Sequence, residues 1–169
     1  MLARLSDGTR VLIRPIRAGD KRMLARGLEL LSEESRRRRF LGAKPRLTQG
    51  ELRYLTEVDG EAHFALVAVL LERPEHVVAV ARYVRLPGDP TTAEAAIVVG
   101  DPWQRRGLGR RLAIMLGDAA RGAGIRRFSA TMASDNPAAF ALMRTLAARL
   151  ERGAGHDHGV RELVADLAA

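Results

Sequence analysis

The chain has 169 residues, no cysteine and a formal net charge of +8. That length suits one domain with a real core, and the missing cysteines exclude disulfides, thiolate metal sites and a cysteine nucleophile. Lys21 and Lys44 are the only lysines among 28 basic residues, and so strongly arginine-rich a balance suits an anionic ligand or an acidic protein partner.

Leu2 to Ile16 reads as an opening hairpin around the turn dipeptide Asp7-Gly8. Arg10 to Arg14 is its second strand, and Pro15 suggests a strand end or a sheet edge. Asp20 is positioned to cap a helix carrying Met23, Leu24, Leu28 and Leu31. Ser32-Glu33-Glu34-Ser35 opens a second helix that contains Arg36 to Arg39 and Phe40. Those arginines read either as a solvated face or as a patch for an acidic substrate or cofactor. Thr48-Gln49-Gly50-Glu51 is a capping box for a short helix to about Leu55. Three strands are expected next, over His63–Leu71, Val77–Arg85 and Ala93–Val99, with turns at 72–75 and 87–90. The first of them is almost wholly apolar and should be central.

The third strand runs into the most informative stretch, Gly100-Asp101-Pro102-Trp103-Gln104-Arg105-Arg106-Gly107-Leu108-Gly109-Arg110-Arg111. Leu108, Leu112, Met115 and Leu116 then follow at helix spacing. A strand, a tight glycine turn and a helix start converge backbone N–H groups on one spot, and glycines let an anion approach the backbone closely. Arg105, Arg106, Arg110 and Arg111 add charge there. A phosphate or pyrophosphate ligand is expected. Neither the dinucleotide G-x-G-x-x-G pattern nor the P-loop is present. Gly122-Ala123-Gly124 stops the helix. A strand over Arg126–Met132 precedes Asn136-Pro137, a helix start with Asn136 as cap. The pattern Ala139, Phe140, Met143, Leu146, Leu150 predicts a helix through Leu150, then a loop from Gly153 to Gly159 and a closing strand from Val160 to Leu167.

Gln104-x-x-Gly107-x-Gly109 resembles the acetyl-CoA signature of the GCN5-related N-acetyltransferase (GNAT) superfamily, and the order of elements resembles that superfamily over nearly the whole chain. The resemblance implies an α/β GNAT fold over residues 1–169: a mixed, mostly antiparallel central sheet flanked by helices, binding acetyl-CoA. It also implies cofactor contacts from Ile97, Val98, Val99, Gln104, Arg105, Arg106, Gly107, Leu108, Gly109 and Arg110. Asn136 in the segment Asn136-Pro137-Ala138-Ala139 resembles a second family motif, which makes it either a cofactor contact or a plain helix cap. The stretches 4–17 and 31–40 are similar to the catalytic domain of bacterial protein-lysine acetyltransferases. They imply a catalytic module without the further domains such enzymes often carry.

Direct acetyl transfer to a primary amine is therefore expected, with a protein lysine as acceptor and a small amine as the alternative. A strand N–H, from Val98 or Val99, would polarise the thioester carbonyl. Glu94 is the expected general base, because acceptor amines are protonated at neutral pH and the family's lysine acetyltransferases place a glutamate at a similar offset. Two departures stand out. Met143 occupies the position of the tyrosine that protonates the leaving thiolate in many relatives, and a thioether cannot donate a proton. Ala147-Ala148 stand where an aromatic commonly closes the helix. Ser134 or water is left for that proton, and a non-catalytic acyl-CoA-binding module is the rival reading.

The remaining expectations are negative or general. No apolar run is long enough to span a membrane and the N-terminus does not read as a signal peptide, so the expected location is cytoplasmic. His156-x-His158 is the nearest approach to a metal chelate, and no metal is expected. Few aromatics and no recognisable motif argue against nucleic acid. A monomer or homodimer is expected.

Overall fold

In the computed structural model, residues 1–157 and 159–167 are described, without the side chains of 154–157. Eight strands form one sheet: β1 (Leu2–Arg4), β2 (Arg10–Pro15), β3 (His63–Leu70), β4 (Val77–Leu86), β5 (Asp89–Val99), β6 (Arg127–Ala133), β7 (Ala147–Asp157) and β8 (Val160–Leu167). Their order across the sheet is β1-β2-β3-β4-β5-β6-β8-β7. Every neighbouring pair is antiparallel except β5 and β6. The helices are α1 (Lys21–Glu29), α2 (Glu33–Phe40), α3 (Gln49–Thr56), α4 (Leu108–Gly122) and α5 (Pro137–Leu146).

The sheet divides the core into two layers. One face packs against α4 and α5, with Leu108, Leu112, Leu116, Tyr83 and Phe128 fully buried. The other face packs against α1 and α3 through Leu24, Leu52, Val67 and Val80. Alternation along β5 distributes its side chains between the layers: Ala93, Ala95, Ile97 and Val99 join the first, and Val98 joins the second. Glu94 and Ala96 therefore share the face of Val98, as the sequence pattern implies.

The opening hairpin, the three consecutive antiparallel strands and the capping box at Thr48 are all present. Three expectations are corrected. β5 begins at Asp89 rather than Ala93, because Asp89 Oδ1 accepts from Thr91 N and Oγ1 and starts the strand directly after a two-residue turn. Asp20 precedes α1 but does not cap it. Its carboxylate takes two hydrogen bonds from Arg14, at 2.7 and 2.8 Å, and one from Arg17 N. Burial by itself would raise the Asp20 pKa; these bonds outweigh it and hold the group below the usual carboxylate range. Finally, α5 ends at Leu146, not Leu150, and much of the loop expected over 153–159 is strand. Leu150 lies four residues after Leu146 and so mimics a helix repeat. Ala147 instead adopts extended backbone, and pairing with β8 draws 147–157 into β7. The expected pair His156 and His158 lies outside the described side chains.

Candidate active site

The β5–β6 ladder pairs Thr92 with Arg127, Ala93 with Phe128 and Glu94 with Ser129, and Arg126 N donates to Thr91 O at 2.8 Å just before it. Beyond Glu94, β6 stays with β8 up to Ala133–Val160, while β5 stays with β4 up to Val99. The sheet thus opens into a V whose apex is Glu94. The free edge of β5 can be assigned from its ladder. Gly100 N donates to Val78 O at 2.8 Å, so alternation directs the backbone groups of Val98 and Ala96 to β4. Those of Ala95, Ile97 and Val99 face the gap, where an extended ligand can add as a strand. Of the two N–H groups expected to polarise a carbonyl, Val99 N faces the opening and Val98 N does not.

The Gln104–Gly109 turn closes the wide end of the V. Gly107 is the N-cap of α4, with φ +83°, and no side chain caps the helix. Arg111 N donates to Gly107 O at 3.1 Å, closing the first turn. The N–H groups of Leu108, Gly109 and Arg110 have no intrahelical partner and carry the positive end of the helix dipole. Arg105 is also left-handed, with φ 57°, an unfavourable conformation for a non-glycine residue. Alternating left-handed residues of this kind make a concave anion nest.

The two glycines serve different ends. A Cβ on Gly107 would meet nothing within 4 Å, so the space above it is open. A Cβ on Gly109 would point inward, 3.5 Å from Leu142 and 3.6 Å from Val99. Gly109 therefore allows close packing of α4 on β5 and α5 rather than close approach of an anion. The arginines differ as well. Arg105, Arg110 and Arg111 are exposed, whereas Arg106 is tied to Asp7 of the opening hairpin. Gln104 turns away from the nest: its Nε2 donates to Val99 O at 3.0 Å and Ser35 Oγ at 3.1 Å.

An acetyltransferase (GNAT) family model matches residues 28–147, which contain both the V and the turn. This chain belongs to that family. By type, then, this is an acetyl-CoA-dependent acetyltransferase domain. It is 38% identical to acetyltransferase Pat of Mycolicibacterium smegmatis over 137 residues, 80% of this chain and 40% of that protein. It is 33% identical to an acetyltransferase of Pseudomonas aeruginosa, over 86% of this chain and 76% of that one. Among solved structures, the GNAT domain of S. lividans PAT superposes with a TM-score of 0.86 at 29% identity, over 99% of this chain and 96% of that one. The chain spans less than half of the Mycolicibacterium relative.

In this GNAT domain the other wall of the V is the β6–α5 junction. Asn136 Oδ1 accepts from Ala139 N at 3.1 Å, so the cap role is occupied; the residue also lines a second cavity with Ser134, Asp135, Phe140 and Arg161. Met143 is buried in the core. On the opposite face, a mostly apolar cleft lies between the sheet and α1–α3. Val80, Arg82 and Val98 line it from the sheet, and Leu24, Leu28, Arg39 and Leu55 from the helices. Glu94 is exposed on this same face of β5.

A polar helix covers the opening. α2 buries none of its residues. It is held by Asp101, which accepts from Ser32 N at 2.9 Å and from Ser32 Oγ and Ser35 Oγ at 2.7 Å. Arg37 pairs with Glu34 and reaches Asp135 at 3.6 Å, and Arg38 pairs with Glu34. The arginine run is thus neither a uniform solvated face nor a single patch. Arg39 turns inward to the cleft. Asp101 as an anchor for α2 was not legible in the sequence, since 69 residues separate it from Ser32.

Proposed function

We propose that residues 1–169 form one catalytic domain that transfers acetyl from acetyl-CoA directly to a primary amine, with a protein lysine as acceptor. The observation that carries this reading is the V itself: its wide end meets the anion nest at Gln104–Gly109 and its apex is an exposed carboxylate, Glu94. The pyrophosphate sits on the N–H groups of Leu108, Gly109 and Arg110, with Arg105 and Arg110 adding charge. The pantetheine arm adds to the free edge of β5 at Ile97 and Val99, and Asn136 borders it from α5. Val99 N polarises the thioester carbonyl. Glu94 accepts the ammonium proton, directly or through one water. The amine nitrogen then bonds to the carbonyl carbon and the C–S bond breaks; the nitrogen releases its remaining surplus proton to solvent, and the thiolate takes a proton from solvent admitted near Ser134. The similarity of stretches 4–17 and 31–40 to bacterial protein-lysine acetyltransferases supports a lysine acceptor, and a cytoplasmic setting accords with that chemistry.

A second reading, a non-catalytic acyl-CoA-binding module, draws on buried Met143, which offers no proton to the thiolate. Thiol release from acetyl-CoA, measured with a mixed protein and polyamine panel, separates the two. Acetyl-dependent thiol release matched by acetyl-lysine formation supports the transferase. Tight acetyl-CoA binding with no release above the acceptor-free rate refutes it.

A further inference from the structure

The acceptor-side cleft holds two guanidinium groups for which the transfer chemistry has no use. Arg82 is only 5% exposed. Its guanidinium donates to His63 Nε2 at 3.0 Å and to Leu55 O at 3.2 Å, both neutral acceptors. Arg39 enters the same cleft from α2, with its guanidinium carbon 5.0 Å from the centre of the Phe40 ring. Among the described residues neither guanidinium is in contact with a carboxylate.

That arrangement differs from the one at Arg14, a half-buried arginine met by two oxygens of Asp20. In the cleft, burial and then the neighbouring Arg39 push the Arg82 pKa down to about 10, and burial followed by Arg82 lowers that of His63. His63 accepts from Arg82, so it is neutral there and offers no compensating charge. Glu94 is the carboxylate whose field reaches Arg39, from its exposed place on β5. Two cations set in an apolar cleft without an anion in contact are unfavourable, and a carboxylate that reaches them relieves the imbalance. Arg82 pairs with Ala96 and Val84 with Glu94, so Arg82 stands at the end of the cleft nearer Glu94, and the apolar lining of Leu24, Leu28 and Val80 extends the other way.

We propose that this cleft selects an acceptor bearing a carboxylate a short linker away from its primary amine. Arg39 and Arg82 hold the carboxylate, and the linker delivers the amine to Glu94. The charges are complementary: Arg39 and Arg82 in the cleft suit the carboxylate, and Glu94, one residue pair beyond Arg82 on the same sheet face, suits the ammonium. The proposal rests on the acetyl-transfer reading and specifies its acceptor. The carboxylate has two possible sources, a free amino carboxylic acid or an acidic residue beside a peptide lysine.

Steady-state kinetics with acetyl-CoA test it on two matched pairs: ε-aminocaproate against ε-aminocaproamide, and a lysine peptide flanked by glutamate against the same peptide with glutamine. The amine is alike within each pair. The carboxylate member of at least one pair should have a kcat/KM about tenfold or more above its neutral partner, the scale of a charged hydrogen bond. Arg39→Gln should abolish that ratio, and Arg39→Lys should restore part of it. The pair that responds identifies the source. Equal kcat/KM within both pairs overturns the proposal while the transferase reading stands. So does a preference that survives in Arg39→Gln. A preference for succinyl-CoA over acetyl-CoA with the neutral acceptors, lost in Arg39→Gln, also overturns it, because the guanidiniums then serve the acyl group. If no acceptor is turned over, the transferase reading fails by itself. Calorimetry of ε-aminocaproate with the CoA-loaded protein then decides: binding weakened by Arg39→Gln supports the cleft assignment, and no binding or unchanged binding overturns it.

Discussion

Gly107→Asp probes the cofactor site with the fewest side effects. Gly107 has φ +83° and open space where a Cβ would stand, so the added Cβ meets no protein atom within 4 Å. The folding penalty is then the left-handed backbone, about 1–2 kcal/mol, and aspartate tolerates that region better than most residues. For a chain of this size such a loss lowers Tm by roughly 2–8 °C, leaving the protein folded. The effect on binding is larger. Two unit charges about 5 Å apart at an effective dielectric of about 20 repel by roughly 3 kcal/mol, or about 10²-fold in Kd. Gly107→Ala carries the strain without the charge and separates the two effects. Calorimetry with acetyl-CoA should give a Kd about 10²-fold weaker for the aspartate variant than for the alanine variant, with similar far-ultraviolet dichroism. A folded Gly107→Asp protein with parental affinity would refute the anion nest and with it the placement of the pyrophosphate.

Glu94→Gln should keep acetyl-CoA affinity and lower turnover by roughly 10²-fold or more, the usual scale of general-base loss. The defect should shrink as pH rises and free amine becomes available; parental turnover at neutral pH would leave Glu94 an ordinary strand residue. Asp101→Ala removes the acceptor of three hydrogen bonds from Ser32 and Ser35. Amide exchange over residues 33–40 should accelerate by about tenfold or more while α4 stays protected, and unchanged exchange would mean that α2 is held by other contacts. Lys44 first, then the Thr48 N–H and hydroxyl, lower the Glu51 pKa from 4.5 to about 2. Its depressed folded pKa makes its contribution complete above pH 4.5 and lost as pH falls toward about 2. The Tm gap between the parent and Glu51→Gln should therefore be largest near neutral pH and close over that acid range. A gap independent of pH would exclude the Glu51 charge as its cause.

Much of this domain follows from local chemistry. Ser32 and Thr48 cap α2 and α3 because a hydroxyl can accept an N–H that the first turn leaves free. Gly107 must be glycine-like because the chain turns left-handed there. Leu108, Leu112 and Leu116 share a buried stripe because a helix repeats every 3.6 residues. The face shared by Glu94, Ala96 and Val98 follows from strand alternation. These are short-range rules, readable from a window of a few residues. The tertiary structure decided the rest. The helix signal through Leu150 was lost to β8, since the ladder with β7 forms only once distant segments meet. Why position 109 is glycine was not legible either: its missing Cβ makes room for Leu142 and Val99, while its N–H stays at the helix start. The arginine run looked uniform in sequence, but partners far along the chain divide it: Asp135 attracts Arg37, while Arg39 is directed into the cleft beside Arg82. Where strands part, which backbone edge stays free and which charges are left without a counterion depend on long-range register and packing, which no local pattern encodes.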